Sequence, residues 1–199
     1  MSTFEPINLN GQHVRLRPLT LTDHPALCEI GLAEELWQDT TIRVQTSADM
    51  LRYMQNALRE QAEGTCLPFV IIETSGNQII GTSRYHSINK IHQRLEIGFT
   101  WIAIPWQRTA VNTEVKYLML KQAFEQWGCV RVQFKAGTGN HRSRRALLRI
   151  GATEEGVLRS YVISEHKGLC DLVVLSIISS EWPQVKTKLE AVLKKHDDR

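Results

Sequence analysis

The feature that most constrains the fold is a change of hydrophobic period in the middle of the chain. The segment QRLEIGFTWIAI, residues 93–104, has the pattern of an extended strand, and residues 111–127 repeat apolar side chains at helical spacing after the turn PWQRTA. Gly128 ends that helix, and the alternating segment CVRVQFKA predicts another strand. The pattern therefore predicts a strand, helix, strand crossover in the middle of a sheet.

The segments on either side of the crossover predict shorter strands, hairpins and helices. In chain order they are a strand at 13–17, a helix starting at 22–25 with a threonine cap, a helix from Ser47 to Gly64, a hairpin of PFVIIET and IIGTSRYHSI, a short helix from Asn140 to Gly151, a hairpin of EGVLRSYVI and LCDLVVLSII, and a C-terminal helix opening at 180–183. This order is typical of the α/β class with a mixed, mostly antiparallel central sheet flanked by helices.

The composition favours one folded domain over residues 1–199. At 42% hydrophobic and 23% charged residues the chain is ordinary for a globular protein, and it contains no low-complexity tract or Pro- or Gly-rich linker. A chain of this length can form one substantial core but not two comfortable ones.

Several classes of function receive little support. The cysteines lack the paired spacing of a zinc or redox site, so we expect reduced thiols and no metal; they are Cys28, Cys66, Cys129 and Cys170. The start MSTFEPINLN lacks signal-peptide features, and the run LVVLSIISS is too short to span a bilayer, so we expect a cytoplasmic protein that does not bind membranes. Nucleic-acid binding through HRSRRALLR is weakly supported, because the cluster is short and lacks interleaved aromatic residues.

Two helix starts could bind one anionic ligand. The turn between Gln107 and Asn112 precedes a helix whose first N–H groups have no internal partner, although an ordinary turn explains the same pattern and the stretch has no glycine. Asn140, Arg142 and Ser143 lie at the next helix start, one strand further on. We expect both starts at the same edge of the sheet.

These blocks, in this order and spacing, resemble the GCN5-related N-acetyltransferase (GNAT) superfamily, and within it the RimJ/RimL-like branch that acetylates the N-termini of ribosomal proteins. The resemblance covers nearly the whole chain through NGQHVRLRPLTLTD, IIGTSRY, LEIGFTW, PWQRTAVNTE and GNHRSRRALLRIGATEEGVLR. It implies the fold of the acyl-CoA N-acyltransferases and an acetyl-CoA-dependent N-acetyltransferase that needs no metal.

The resemblance also implies where acetyl-CoA binds. The residues expected to contact it are Phe99, Thr100, Trp101, Ile102, Gln107, Arg108, Thr109, Ala110, Val111, Asn112, Thr113, Asn140, Arg142, Ser143 and Arg145. Gln107 matches the first position of the family's pyrophosphate loop, whereas Ala110 and Asn112 replace its glycines and Arg108 stands where glycine is often found. These changes are compatible with weaker binding and do not require its loss.

The catalytic groups are predicted partly from chemistry and partly from the resemblance. An attacking amine must lose a proton, and Glu96 is the first candidate to accept it, with His86 and Glu73 as weaker ones. The resemblance implies that Asn140 binds the pantetheine arm, that Ser143 protonates the departing thiolate, and that a backbone N–H of residues 99–101 holds the oxyanion. The alternative is that Ser143 is a helix-start serine whose side chain makes a local hydrogen bond to the backbone.

Other side chains have both a functional and a structural interpretation. Arg142, Arg145 and Arg149 share one helix face and could neutralise phosphates or simply be solvated. Four aromatic residues could line an acceptor cleft or belong to the core: Trp37, Tyr53, Tyr85 and Trp106.

Two hypotheses for the function follow. The first is an enzyme that moves acetyl from acetyl-CoA to a primary amine, a protein N-terminus or a small molecule, by direct attack in a ternary complex. The alternative is a CoA-binding or regulatory module that has lost the chemistry, motivated by the missing glycines. The sequence leaves open the amine acceptor and a homo-oligomer formed through the last hairpin or the C-terminal helix.

Overall fold

A computed structural model describes residues 4–197, and its centre is one eight-stranded sheet. The strands are β1 (Leu9–Asn10), β2 (Val14–Pro18), β3 (Leu67–Glu73), β4 (Ile79–Asn89), β5 (Arg94–Ile102), β6 (Arg131–Gly137), β7 (Thr153–Ser164) and β8 (Gly168–Ile178), in the spatial order β1-β2-β3-β4-β5-β6-β8-β7. All neighbours are antiparallel except β5 and β6. The predicted class, a mixed and mostly antiparallel sheet with one central crossover, is confirmed.

Within residues 4–197, five α-helices pack on the two faces of this sheet. They are α1 (His24–Gly31), α2 (Ser47–Ala62), α3 (Val111–Lys121), α4 (His141–Arg149) and α5 (Trp182–Asp197). Side chains from α3, α4 and α5 join the larger core cluster on one face, and α1 and α2 form a second cluster on the other. No helix within residues 4–197 is long and apolar enough to cross a membrane.

Most predicted elements are present, with local differences at their ends. The first helix, α1, begins at His24, within the predicted start, but its N-cap is Asp23 rather than Thr22. Thr20 and Asp23 form the capping box of a separate 3-10 turn at Leu21–Asp23 just before it. The predicted helix 111–127 is α3 followed by a π-helical turn at Gln122–Gln126. Strand β1 was not predicted, since two residues are too few to show an alternating pattern.

Strands β5 and β6 separate soon after they begin. They pair in parallel over only three residue pairs, Arg94 with Arg131, Leu95 with Val132 and Glu96 with Gln133. Beyond these pairs the two strands have no register contacts, so their C-terminal halves splay apart. The splay opens a gap in the middle of the sheet, and the loops that lead into α3 and α4 begin beside it.

A β-bulge in β5 lies at the point where the strands part. Thr82 pairs with Trp101 and Arg84 with Gly98, so two residues of β5 lie opposite the single residue Ser83. Phe99, the first of the two, has φ 52°, a left-handed conformation that costs energy in a bulky residue. Its carbonyl oxygen accepts a hydrogen bond from the Tyr53 hydroxyl at 3.2 Å, which helps to fix the bulge.

Candidate active site

The two helix starts predicted to bind one ligand meet at the splay. Gln107 connects them: its Nε2 donates to the carbonyl of Ile102 at 2.8 Å, and its Oε1 accepts from Arg142 Nη1 at 3.1 Å. The end of β5, the loop before α3 and the start of α4 are therefore joined by one side chain. This contact places the predicted phosphate loop and the predicted arginine cluster at the same edge of the sheet.

The start of α3 offers backbone N–H groups to an anion. No side chain caps it, and the N–H groups of Asn112 and Thr113 have no hydrogen-bond partner among residues 4–197. Val111 N–H makes only a long bond of 3.3 Å to Thr109 Oγ1. Unpartnered N–H groups at the positive end of the helix dipole provide the chemistry that binds a phosphate group.

The missing glycines of this loop have a conformational explanation. Ala110 has φ −63° and ψ −23°, and Asn112 lies in the first turn of α3, so both positions are helical and open to any residue. The left-handed angle falls instead on Arg108, with φ 63°, the other position where the family often has glycine. Ala110 is buried, so a bulkier residue there would disturb packing as well as ligand binding.

The start of α4 presents an amide and a hydroxyl group. Asn140 is the N-cap, and its Oδ1 accepts from the backbone N–H of Ser143 at 2.9 Å, which leaves Nδ2 available as a donor. The Ser143 hydroxyl is half-buried and makes no hydrogen bond with residues 4–197. The local backbone bond considered as an alternative for this hydroxyl is therefore not formed.

The arginines of α4 fall into two groups. Arg142, Arg145 and Arg149 are exposed, and none of them forms an ion pair within the described part of the chain. Arg144 instead forms a bidentate pair with Glu154 at 2.6 and 3.0 Å, which ties α4 to β7. The first group remains available to an anionic ligand, whereas Arg144 has a structural role.

Glu96 is a buried carboxylate beside the bulge, surrounded by donors. Its Oε2 accepts from Lys135 Nζ at 2.7 Å and from Gln133 Nε2 at 3.2 Å, and its Oε1 lies 3.4 Å from His86 Nε2. Burial acts to raise the pKa of Glu96, but the donors His86 and Lys135 outweigh it and hold the pKa below its usual value. Glu96 is thus a charged group that can orient and stabilise a protonated neighbour.

His86 lies between Glu96 and the bulge. Its ring packs edge-on against Phe99 with 5.0 Å between centroids, and its Nδ1 lies 3.2 Å from Ser87 Oγ. Gly98 on the neighbouring strand β5 makes this possible, because a Cβ there would lie 2.5 Å from His86 Nε2. The glycine in LEIGFTW therefore leaves room for the imidazole that the sequence ranked below Glu96.

Glu96 and its neighbours line a cavity of about 350 Å³ on the sheet face opposite α3. Its charged and polar walls include Arg94, Arg131, Gln133, Lys135 and Tyr161, and the Lys135 ammonium lies 4.9 Å from the ring centroid of Tyr161. Neither α1 nor α2 contributes to this wall. The cavity has the size and polarity to hold an acceptor next to the carboxylate.

The other candidate side chains have structural roles. The Glu73 carboxylate accepts the backbone N–H groups of Ser75 and Gly76 in the β3–β4 turn and does not line the cavity. Tyr85 and Trp106 pack in the core cluster on the α3 face, and Trp37 and Tyr53 in the cluster on the α1–α2 face. The core interpretation of these aromatic residues is therefore correct, and Tyr53 also contacts the bulge through the Phe99 carbonyl.

The remaining predicted cosubstrate residues lie along the same edge. Thr100 is in the bulge, Trp101 and Ile102 are buried on opposite faces of β5, and Thr109 donates its hydroxyl hydrogen to the Trp106 carbonyl at 2.8 Å. Thr113 and Val111 are buried in the first turn of α3. Within residues 4–197, no group of three or more histidine, cysteine, aspartate or glutamate side chains could hold a metal ion.

Two buried charges on α3 were missed by sequence reasoning. The Glu114 carboxylate accepts three N–H groups of the β1–β2 turn, those of residues 12–14, at 2.7–2.8 Å. Lys116 donates to Thr100 Oγ1 at 2.5 Å, and burial lowers the pKa of this lysine to about 7. Charged residues inside an apolar helical face are the only sequence signal for either, and their partners lie far away in sequence.

Comparison with known proteins supports the expected family. A family model described as an acetyltransferase (GNAT) domain matches residues 13–153. A solved structure from T. thermophilus, provisionally named an acetyltransferase, is 33% identical with a TM-score of 0.86, covering 97% of this chain and 100% of that one. RimJ of Mycobacterium smegmatis, solved with CoA-disulfide, shares the fold at 22% identity, with a TM-score of 0.79 over 94% and 95% of the two chains.

Curated relatives match over shorter segments. YdaF of Bacillus subtilis, provisionally named a ribosomal N-acetyltransferase, is 33% identical over 106 residues, which are 52% of this chain and 56% of YdaF. The N-acetyltransferase YoaA of the same organism is 35% identical over 43% of this chain and 48% of its own length. The chain therefore spans about half the length of these two relatives.

Proposed function

Because the chain belongs to the acetyltransferase (GNAT) family, we propose that it transfers an acetyl group from acetyl-CoA to a primary amine. The observation that carries the proposal is the convergence of the α3 start, the α4 start and the end of β5 at the splay, joined through Gln107. A charged carboxylate beside an imidazole lies on the other side of the bulge. A ligand held in the splay would therefore present its reactive end to a proton acceptor.

The residues at this edge fit acetyl-CoA group by group. The free N–H groups of Asn112 and Thr113 suit the pyrophosphate, and Arg142 and Arg145 supply positive charge for the nucleotide phosphates. Asn140 Nδ2 can donate to a pantetheine carbonyl. A protein of the same fold, RimJ of M. smegmatis, was solved with CoA-disulfide, which supports a CoA ligand for this fold.

The reaction joins the amine nitrogen to the acetyl carbon and breaks the carbon–sulfur bond. The Glu96 and His86 pair accepts the amine proton, directly or through water, with the charged carboxylate stabilising the imidazolium. A backbone N–H of residues 99–101 binds the oxyanion, and the Ser143 hydroxyl donates its proton to the departing thiolate. The products are an N-acetylated amine and CoA, in the cytoplasm.

The function is tested by turnover on an acceptor panel. Purified protein with acetyl-CoA should release CoA in the presence of some primary amines, measured as free thiol and by mass of the acetylated product. Peptides with ribosomal-protein N-termini come first, because the YdaF name points to ribosomal substrates. Tight CoA binding with no turnover across peptides, amino acids and polyamines would favour a regulatory module, and failure to bind CoA would contradict both hypotheses.

Replacing Ser143 with alanine tests the proton donor. We expect kcat to fall about tenfold to a hundredfold, near the lower end for loss of an acid or base, while the Kd of acetyl-CoA stays unchanged. Steady-state kinetics and titration calorimetry measure the two effects. The control is Ser47→Ala at the first residue of α2, and an unchanged kcat in the Ser143 variant would remove this hydroxyl from the mechanism.

A further inference from the structure

Lys116 is a buried amine that the proposed mechanism does not use. Its residue exposure is 5%, and its Nζ has one hydrogen-bond partner within residues 4–197, the hydroxyl of Thr100. It forms no ion pair with any residue in this part of the chain, and burial is the sole cause that lowers the pKa of this lysine to about 7. The protein therefore carries an amine in its core without a carboxylate to offset the loss of hydration.

The contact made by Lys116 leads directly to the β5 bulge. Thr100 Oγ1 accepts from Lys116 and lies 2.8 Å from Ser83 Oγ, so three polar side chains connect α3, β5 and β4. Ser83 is the single β4 residue opposite the two extra positions of β5, and Thr100 is one of those positions. Lys116 thus supports the bulge from the α3 face, while Tyr53 supports it from the α1–α2 face.

This arrangement lowers stability in a place where an apolar side chain would fit. The neighbouring inward residues of α3, Val115 and Met119, are fully buried hydrophobic residues, so methionine at position 116 would suit the same environment. A locally unfavourable residue that persists beside a strained backbone is a common sign of a functional constraint. Here the strained residue is Phe99, adjacent to the residue that Lys116 holds.

We propose that Lys116 is a positioning residue of the acyl-transfer site, which acts through Thr100 to hold the bulge in the geometry that binds the thioester. The proposal rests on the proposed function, in which a backbone N–H of residues 99–101 faces the acetyl carbonyl. Among residues 4–197, Lys116 is the only charged side chain that donates a hydrogen bond to Thr100. Its amine does not enter the reaction.

The test compares Lys116→Met, Thr100→Val and the double variant with the wild-type protein. Each single change should lower kcat/KM for acetyl-CoA about tenfold to a hundredfold, the range expected when reacting groups are misplaced by about 1 Å. The Kd of acetyl-CoA should rise several-fold. The double variant should lose no more than either single one, because both changes break the same support.

Thermal unfolding separates positioning from structural support. Lys116→Met should raise Tm, since it removes a charge that folding must desolvate. The rise should grow as pH falls from about 10 to about 7, because the unfolded lysine holds a proton below about pH 10.4 whereas the folded one is penalised for holding it. Lys121→Met, at the end of the same helix, is the matched control and should leave activity and Tm unchanged.

The outcomes distinguish this inference from the proposed function. The inference alone would be overturned if the wild type turns over and the Lys116→Met variant has a kcat/KM and a Kd within about twofold of the wild-type values. Additive losses in the double variant would overturn it as well. Lower activity accompanied by a lower Tm would also overturn it, because the lysine would then be structural. Absence of wild-type turnover would contradict the proposed function. In that case, a weaker affinity of the Lys116→Met variant for acetyl-CoA would still support the inference. A Lys116→Met variant that does not fold would also overturn the inference, because the lysine would then be structural, whereas Lys116→Gln, which keeps a neutral donor, should fold and show smaller losses than Lys116→Met.

Discussion

Replacing Glu96 with glutamine should remove most acetyl transfer while leaving the cosubstrate site intact. We expect kcat to fall about a hundredfold to ten-thousandfold, the range for loss of general base catalysis, with an unchanged Kd for acetyl-CoA. Glutamine keeps the shape of the side chain and an acceptor for Lys135, but it has no charge to stabilise a proton on His86. Steady-state kinetics with an acceptor from the panel, together with calorimetry, measure both quantities.

The relation between Glu96 and His86 gives this experiment a second readout. If the imidazole takes the proton and the carboxylate orients it, His86→Gln should lose about as much as Glu96→Gln, and the double variant should be no worse than either. Glu125→Gln is the matched control, because Glu125 is also ion-paired, with Lys186 at 2.8 Å, but lies between α3 and α5. A Glu96 variant that keeps kcat within a few-fold would show that another group accepts the proton.

The overall fold could be predicted from the sequence because its signals are local. From residue 13 onwards, alternating apolar and polar residues predicted the strands, and apolar residues at helical spacing predicted the helices. Turn residues marked most of the ends of these elements. The cap of α1 was misplaced by one residue, because Asp23 rather than Thr22 is its N-cap and a 3-10 turn capped by Thr20 precedes the helix. A splay of the central strands beside Glu96 was expected, but the register of β5 with β6 and its extent of three residue pairs had no sequence signal, because register depends on distant partners.

The candidate site was predictable in its location more than in its chemistry. The resemblance placed Gln107, Asn140 and Ser143 at one edge, and the Gln107 contact with Arg142 agrees with that placement. The sequence could not show that Glu96 is already held by Lys135, a partner 39 residues away, or that Gly98 leaves room for His86. Such features depend on which side chains meet across strands, so they become visible only in three dimensions.

Reversing the charges of Arg142 and Arg145 together should nearly abolish CoA binding. Hydrogen bonds to charged groups contribute about 1.5–3 kcal/mol each, so loss of two arginine–phosphate contacts predicts a Kd raised at least about a hundredfold. Both side chains are exposed, and the fold should therefore tolerate Arg142→Glu and Arg145→Glu. Arg144 is left unchanged, because its pair with Glu154 joins α4 to β7.

Salt dependence and a phosphate-free ligand make the result specific to phosphate contacts. The loss of affinity should shrink as sodium chloride increases, because exposed charges are screened beyond about 10 Å at 0.1 M salt. Pantetheine, which lacks the nucleotide and its phosphates, should bind the double variant and the wild type equally. Arg59→Glu, on the exposed side of α2, is the control for a charge reversal away from the site and should leave the Kd of CoA unchanged. Equal CoA affinity in the double variant and the wild type would mean that the α4 arginines are only a solvated surface, and the phosphates would then rest on the α3 start alone.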